Sequence, residues 1–205
     1  SVWQNTAHVS ALGLSPFLPG CGSDSGGGRV PDDDSPSEPV FRHGVASGDP
    51  LADRVILWTR VTQAASSAVP VTVRLSTQPD LGGSVIERQT MAESIRDFTV
   101  KVDADVLAPA TTYYYQFEAL GQRSPIGRTR TLPNGAVDRL RISELTCSSY
   151  AHGFFNAYAR VAQRADLDLV LHLGDYIYEG GIGQNVVRQH DGPMIETLDA
   201  YRSRY

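Results

Sequence analysis

The stretch Leu167-Asp-Leu-Val-Leu-His-Leu-Gly-Asp-Tyr-Ile-Tyr-Glu179 decides how the second half of the chain is read. From Leu167 to Leu173 it is nearly continuous apolar sequence, the mark of a strand buried on both faces. Gly174 then allows the backbone to turn sharply and to approach an ion or a phosphate closely. Asp175 and Tyr178 follow at once, beyond the carboxyl end of the strand, where open α/β sheets bind their ligands.

Upstream of that run, the segment from His152 to Arg164 carries Phe155, Tyr158, Ala159 and Ala162 at helical spacing. Before it, Leu140 to Leu145 reads as a strand. Strand, helix and buried strand in this order make a βαβ unit, so residues 138–205 read as the start of an α/β domain. Thr197 to Tyr205 reads as a further helix.

Before Pro133-Asn134-Gly135 the pattern is different. Arg54 to Arg60 is apolar and β-branched, and Val69 to Leu75 and Phe98 to Val102 alternate with period two. Thr112 to Phe117 is an aromatic strand, and Ile126 to Leu132 supplies a last one. Short strands at this spacing predict an antiparallel β-sandwich over residues 40–133. Leu107-Ala-Pro109-Ala-Thr111-Thr-Tyr113 resembles the Leu-x-Pro-x-Thr-x-Tyr corner of fibronectin type III domains. In such a corner the ring packs inward and the hydroxyl returns to the backbone.

Residues 1–39 read as a signal remnant and flexible linker. Val9 to Leu18 is apolar but too short to span a bilayer. Leu18-Pro19-Gly20-Cys21 resembles the end of a bacterial lipoprotein signal, which makes Cys21 the candidate for a lipid anchor. From Gly22 to Pro39 the chain is rich in Gly, Ser, Pro and Asp, including Asp32-Asp33-Asp34, and reads as a solvated tether. The expected location is outside the cytoplasm: periplasmic, cell-surface or extracellular.

Composition narrows the classes further. Apolar residues at 41% and charged residues at 20% fit a globular chain rather than a disordered one. A net charge of −5 argues against a nucleic-acid-binding domain, which needs a concentrated basic surface. Two cysteines are too few for a disulfide scaffold.

The chemistry collects at the two strand ends. The first ends in Thr146-Cys147-Ser148-Ser149, the second in Gly174-Asp175-Tyr176-Ile177-Tyr178-Glu179. Asp175 offers a hard oxygen able to bridge two cations, and Tyr178 returns toward the same point if the segment makes one turn. A phenol loses its proton only near about pH 10 in water. A trivalent iron reverses that preference by stabilising the phenolate, and a cysteine thiolate joins it for the same reason. Magnesium alone favours carboxylates and water. His172, inside the strand, is expected to be a hydrogen-bonded structural histidine. His152, at the helix start, could face substrate, whereas His43 and His190 fall in loops.

Three blocks taken in order carry a specific resemblance: Phe41-Arg-His-Gly-Val-Ala-Ser-Gly-Asp-Pro50, Val55-Ile-Leu-Trp-Thr-Arg60, and His172-Leu-Gly-Asp-Tyr-Ile-Tyr-Glu179 behind a Cys-ended strand. Together they resemble the PhoD-like alkaline phosphatases. The resemblance implies a fibronectin type III-like β-sandwich followed by a metallophosphoesterase domain. It implies a phosphatase or phosphodiesterase acting outside the cytoplasm on phosphate mono- or diesters, with Fe3+ and Ca2+ as cofactors. Carried over by position, Cys147 and Tyr178 would bind the iron and Asp175 would bridge iron and calcium.

After Tyr178 the chain offers only His190, Asp191, Glu196 and Asp199 as further candidate ligands. Those cannot build the rest of a binuclear site, so the expectation is a fragment of a longer enzyme, inactive by itself. Two other readings stand beside it. One is a purple acid phosphatase, against which Cys147 counts, since those enzymes place a carboxylate there. The other is a non-catalytic extracellular binding or adhesion module.

Overall fold

Period-two burial runs along most strands of the first half and joins two antiparallel sheets across one apolar core. The computed structural model describes residues 38–64, 66–180, 183–190 and 192–204. The expectations for the leader, Cys21 and the glycine-rich linker therefore lie outside the described residues. In chain order the first strands are β1 (Val45–Gly48), β2 (Val55–Arg60), β3 (Val69–Ser76), β4 (Ile86–Ala92), β5 (Thr99–Ala104), β6 (Thr112–Ala119), β7 (Gln122–Arg123) and β8 (Gly127–Arg130). One sheet has the order β1-β2-β5; the other runs β4-β3-β6-β7, with β8 also paired to β6.

Val55, Leu57 and Thr59 of β2, Val69, Val71, Val73 and Leu75 of β3, and Tyr113, Tyr115, Phe117 and Ala119 of β6 all point into the core. The rings of Tyr115 and Phe117 meet edge to face at 6.1 Å. β1, β4 and β7 were not expected from the sequence. β4 is an edge strand of largely polar residues that buries only Ala92, so no apolar alternation announces it. Its place is set by the antiparallel ladder from Val69↔Ala92 to Leu75↔Ile86.

The tyrosine corner forms as expected. Tyr113 is buried, and its hydroxyl oxygen accepts the Ala108 backbone N–H at 2.8 Å. Tyr113→Phe keeps the ring and orphans that N–H, which should cost about 1 kcal/mol. The midpoint of thermal unfolding should fall by about 2–4 °C for a chain of this size. An unchanged midpoint by calorimetry would show that the corner hydroxyl contributes nothing.

The second half contains β9 (Ile142–Leu145), α1 (Asn156–Ala162), β10 (Leu169–His172) and α2 (Leu198–Arg204). β9 and β10 pair in parallel from Leu169↔Ile142 to His172↔Leu145, with α1 between them in sequence. Two expectations need correction. The helix begins at Asn156 rather than His152, because Phe155 takes a left-handed conformation at φ 57° and cannot continue a right-handed turn. The run Leu167 to Leu173 is not buried on both faces: Val170 is 6% exposed, but Leu171 is 40% and Leu173 61%. Continuous apolar sequence marks a strand able to be covered on both sides, and β10 has only β9 beside it among the described residues.

Arginines of β8 tie the two halves together. Arg128 donates to the carbonyls of Arg164 and Ala165, each at 3.0 Å, and Arg130 pairs with Asp168 at 3.0 Å. The other oxygen of Asp168 accepts the backbone N–H of Arg141 at 2.9 Å, fixing the entry of β10 against that of β9. No described helix is long and apolar enough to cross a membrane.

Candidate metal centre

Parallel pairing brings the ends of β9 and β10 to the same side, and the ladder continues into the loops that follow. Leu173 N–H donates to Leu145 O at 2.9 Å, Cys147 N–H to Gly174 O at 3.2 Å, and Ser148 N–H to Asp175 O at 2.8 Å. Cys147 and Asp175 both adopt left-handed backbone, at φ 63° and 53°. That conformation is tolerated by aspartate and costly for most other side chains, and such strain concentrates at functional sites. Gly174 sits between them at φ 130°, a backbone that only glycine adopts readily.

The expected side chains converge on one oxygen. Asp175 Oδ2 accepts the Tyr178 hydroxyl at 3.2 Å and the Cys147 thiol at 3.5 Å. The Tyr178 phenol is held well above its ordinary pKa, first by its hydrogen bond with Cys147, then by partial burial and by the neighbouring Asp175 charge. A carboxylate, a thiol and a phenol around one point form a donor set that fits a highly charged, Lewis-acidic ion and suits magnesium poorly. The described residues contain no group of three or more His, Cys, Asp or Glu able to hold a metal, because the third donor here is a tyrosine.

Other candidates are occupied elsewhere. Glu179 accepts the Tyr201 hydroxyl at 2.6 Å, which holds its carboxyl below the usual range. His152 Nδ1 meets Ser149 Oγ at 2.8 Å, and His190 is buried with its ring 5.2 Å from that of Tyr150. His172 is hydrogen-bonded as expected: Nε2 lies 3.0 Å from Ser148 Oγ and 2.6 Å from Tyr158 Oη.

Sequence reasoning missed two features around these loops. The hydroxyl of Tyr158 reaches His172 and Ser148, although the residue was read only as part of an apolar helix stripe. The Arg188 guanidinium lies 3.9 Å over the Tyr150 ring, and 5.1 and 4.8 Å over those of Phe154 and Phe155. It also donates to the carbonyls of Tyr150 and Gly153, holding the segment after Cys147 in place. No local signal marks either feature; the available clue was the density of aromatics between Tyr150 and Tyr158. A cavity of about 880 Å³, lined by Tyr150, Phe155, Tyr158, Tyr176 and Tyr178, opens beside this corner.

Comparison with known proteins agrees with this architecture. Residues 28–133 match the family described as PhoD-like phosphatase, N-terminal domain, and residues 142–205 match PhoD-like phosphatase. The chain is 39% identical over 179 residues to alkaline phosphatase D of Bacillus subtilis (strain 168), a match covering 80% of this chain and 30% of that protein. A solved structure of PhoD superposes with a TM-score of 0.76 at 37% identity, covering 82% of this chain and 35% of the other. The chain thus matches about a third of the length of these relatives.

Proposed function

Because the chain belongs to the PhoD-like phosphatase family, we propose that it is the N-terminal part of an exported, metal-dependent phosphatase or phosphodiesterase. Residues 40–133 form its fibronectin type III-like sandwich, and residues 138–205 begin its metallophosphoesterase domain. The observation that carries the reading is the meeting of Cys147, Asp175 and Tyr178 at the ends of two parallel strands. Cys147 and Tyr178 would hold Fe3+, and Asp175 would serve both that ion and Ca2+. Membership in this family favours the reading over a purple acid phosphatase or an adhesion module.

The chain's own residues prepare the corner in separable ways. The loop hydrogen bonds from Cys147 and Ser148 fix the spacing between the two strand ends. Asp175 brings a full negative charge to the point that the other two donors already face. To hold such an ion Cys147 and Tyr178 would each have to give up a proton, a requirement that ties its binding to pH. Bound cations supply Lewis acidity toward the phosphoryl oxygens and the attacking water. The substrate is a phosphate mono- or diester met outside the cytoplasm, with Cys21 as the candidate lipid anchor.

Because the chain matches about a third of the length of these relatives, hydrolysis is expected of a protein of the relatives' full length and not of residues 1–205 alone. Two measurements test the assignment. Adding Fe3+ to the longer protein should give a visible phenolate charge-transfer band that Tyr178→Phe abolishes. A colourless wild type, or a band surviving in Tyr178→Phe, would remove the iron assignment. Phosphate release from aryl phosphate esters should follow the longer protein, and release by residues 1–205 would remove the claim that the shorter chain is inactive.

A further inference from the structure

We propose that Ser148, Tyr158 and His172 are positioning residues that lock the Cys147 loop and the Asp175 loop at the spacing the metal donors need. The proposal deepens the metal reading above and rests on it.

The three side chains form a closed group behind the donors. Tyr158 Oη lies 2.6 Å from His172 Nε2, Ser148 Oγ lies 3.0 Å from the same nitrogen, and the Ser148 and Tyr158 hydroxyls bond to each other. On the other side of the ring, Gly174 N–H faces His172 Nδ1 at 3.4 Å. With Nδ1 accepting from that amide, a neutral imidazole carries its proton on Nε2, facing Tyr158 and Ser148. Hydrogen bonding then runs one way: from the Gly174 amide to His172, from His172 to Tyr158, and from the Tyr158 hydroxyl to Ser148. In that arrangement His172 donates toward Tyr158 and Ser148, which gives the group a geometric role.

Its two ends explain what is held. Ser148 adjoins Cys147, and Gly174 adjoins Asp175. The network therefore joins the two ligand-bearing loops through a helix, α1, that contributes no donor of its own. The Tyr158 and His172 rings stack at 5.9 Å with 25° between planes, and Tyr176 meets His172 edge-on at 5.4 Å. This packing limits how far the imidazole can rotate. Both loops carry left-handed residues at the donor positions, and such backbone persists only where its surroundings over-determine it. Partners behind the ligands of a metal are worth about 10- to 100-fold in metal affinity.

The test uses Tyr158→Phe and Ser148→Ala, which delete hydroxyls and keep the rings and the histidine. In the metal-free chain, amide exchange at Cys147 and Ser148 should accelerate about tenfold, the equivalent of one ordinary hydrogen bond. Exchange along β2, β3 and β6 should not change. In the iron-loaded longer protein, Fe3+ affinity should fall about 10- to 100-fold and the phenolate band should shift. Wild-type exchange at both amides, or acceleration spread evenly over all strands, would overturn the positioning role. A wild type that colours normally beside variants that bind and colour identically would overturn it as well. A wild type that never colours would overturn the metal reading and this inference together, a pattern distinct from failure of the network alone.

Discussion

Asp175→Asn should lower phosphate-ester hydrolysis by the longer enzyme at least about a thousandfold, because Lewis-acid stabilisation is worth several kcal/mol and each tenfold needs about 1.36 kcal/mol. Asparagine is the informative replacement. It accepts the left-handed backbone that Asp175 occupies at φ 53°, so the loop keeps its shape. It removes the negative charge and leaves an amide that cannot bridge two cations. Tyr178 should respond even without metal, since the Asp175 charge is one of the influences holding its phenol above the ordinary range. The phenol of the variant should therefore titrate at lower pH, readable by ultraviolet absorbance. Steady-state rates with an aryl phosphate measure the main effect. A kcat within tenfold of wild type would remove Asp175 from the proposed centre.

The largest expected effect on stability is at Gly127. This residue lies directly across the β6–β8 ladder from Tyr115. A Cβ placed on it would stand 2.3 Å from Tyr115 Cζ, 2.6 Å from Cε1 and 2.7 Å from the hydroxyl oxygen. The ring cannot give way, because Tyr115 is 1% exposed and its hydroxyl is hydrogen-bonded to Ser47 in the opposite sheet. Burial also pushes that phenol far above its usual pKa, so ionisation offers no escape. Overpacking of this kind costs about 1–3 kcal/mol, and a rigid buried ring sets the cost near the top of that range. Gly127→Ala should therefore lower the unfolding midpoint by on the order of 10 °C. Adding Tyr115→Leu to Gly127→Ala should recover part of the loss, since residues in contact couple. An unaltered midpoint for Gly127→Ala by calorimetry would mean the ring does not lie over this glycine.

The same residues show what the sequence could and could not tell. Val69 to Leu75 and Phe98 to Val102 were legible because half-buried strands alternate apolar and polar positions, and Thr112 to Phe117 because of its aromatic residues. The corner was legible because Leu107, Pro109, Thr111 and Tyr113 encode a local geometry whose partner, the Ala108 amide, lies five residues from the phenol. β4 was illegible because an edge strand buries little, and its partner β3 determines it more than its own pattern does. The Leu167 to Leu173 run signalled a capacity for burial, whereas burial itself depends on which elements stand alongside.

At the candidate centre, the convergence of Cys147, Asp175 and Tyr178 could be expected because strand ends in an open sheet lie side by side and each residue carries a distinctive donor. Tyr158 could not be read in the same way. On a helix its ring counts as apolar, and its hydroxyl finds His172 only through a contact fourteen residues away. Helix α1 was drawn too early for a related reason: Phe155 fits the apolar stripe, and hydrophobic spacing carries no information about the sign of φ.

The arginines of β8 also bear on the timing of events during synthesis. Arg128 and Arg130 leave the ribosome before the carbonyls of Arg164 and Ala165 and the carboxylate of Asp168 that they hold. The two sheets close through antiparallel pairings made wholly among earlier residues, so they can form while the later chain is still being made. Their guanidinium groups can then stand on a formed surface. Asp168, just before β10, meets Arg130 on one side and the Arg141 amide on the other. Translation can thus supply a jig first and the piece to be clamped second, ahead of the loop that carries Asp175.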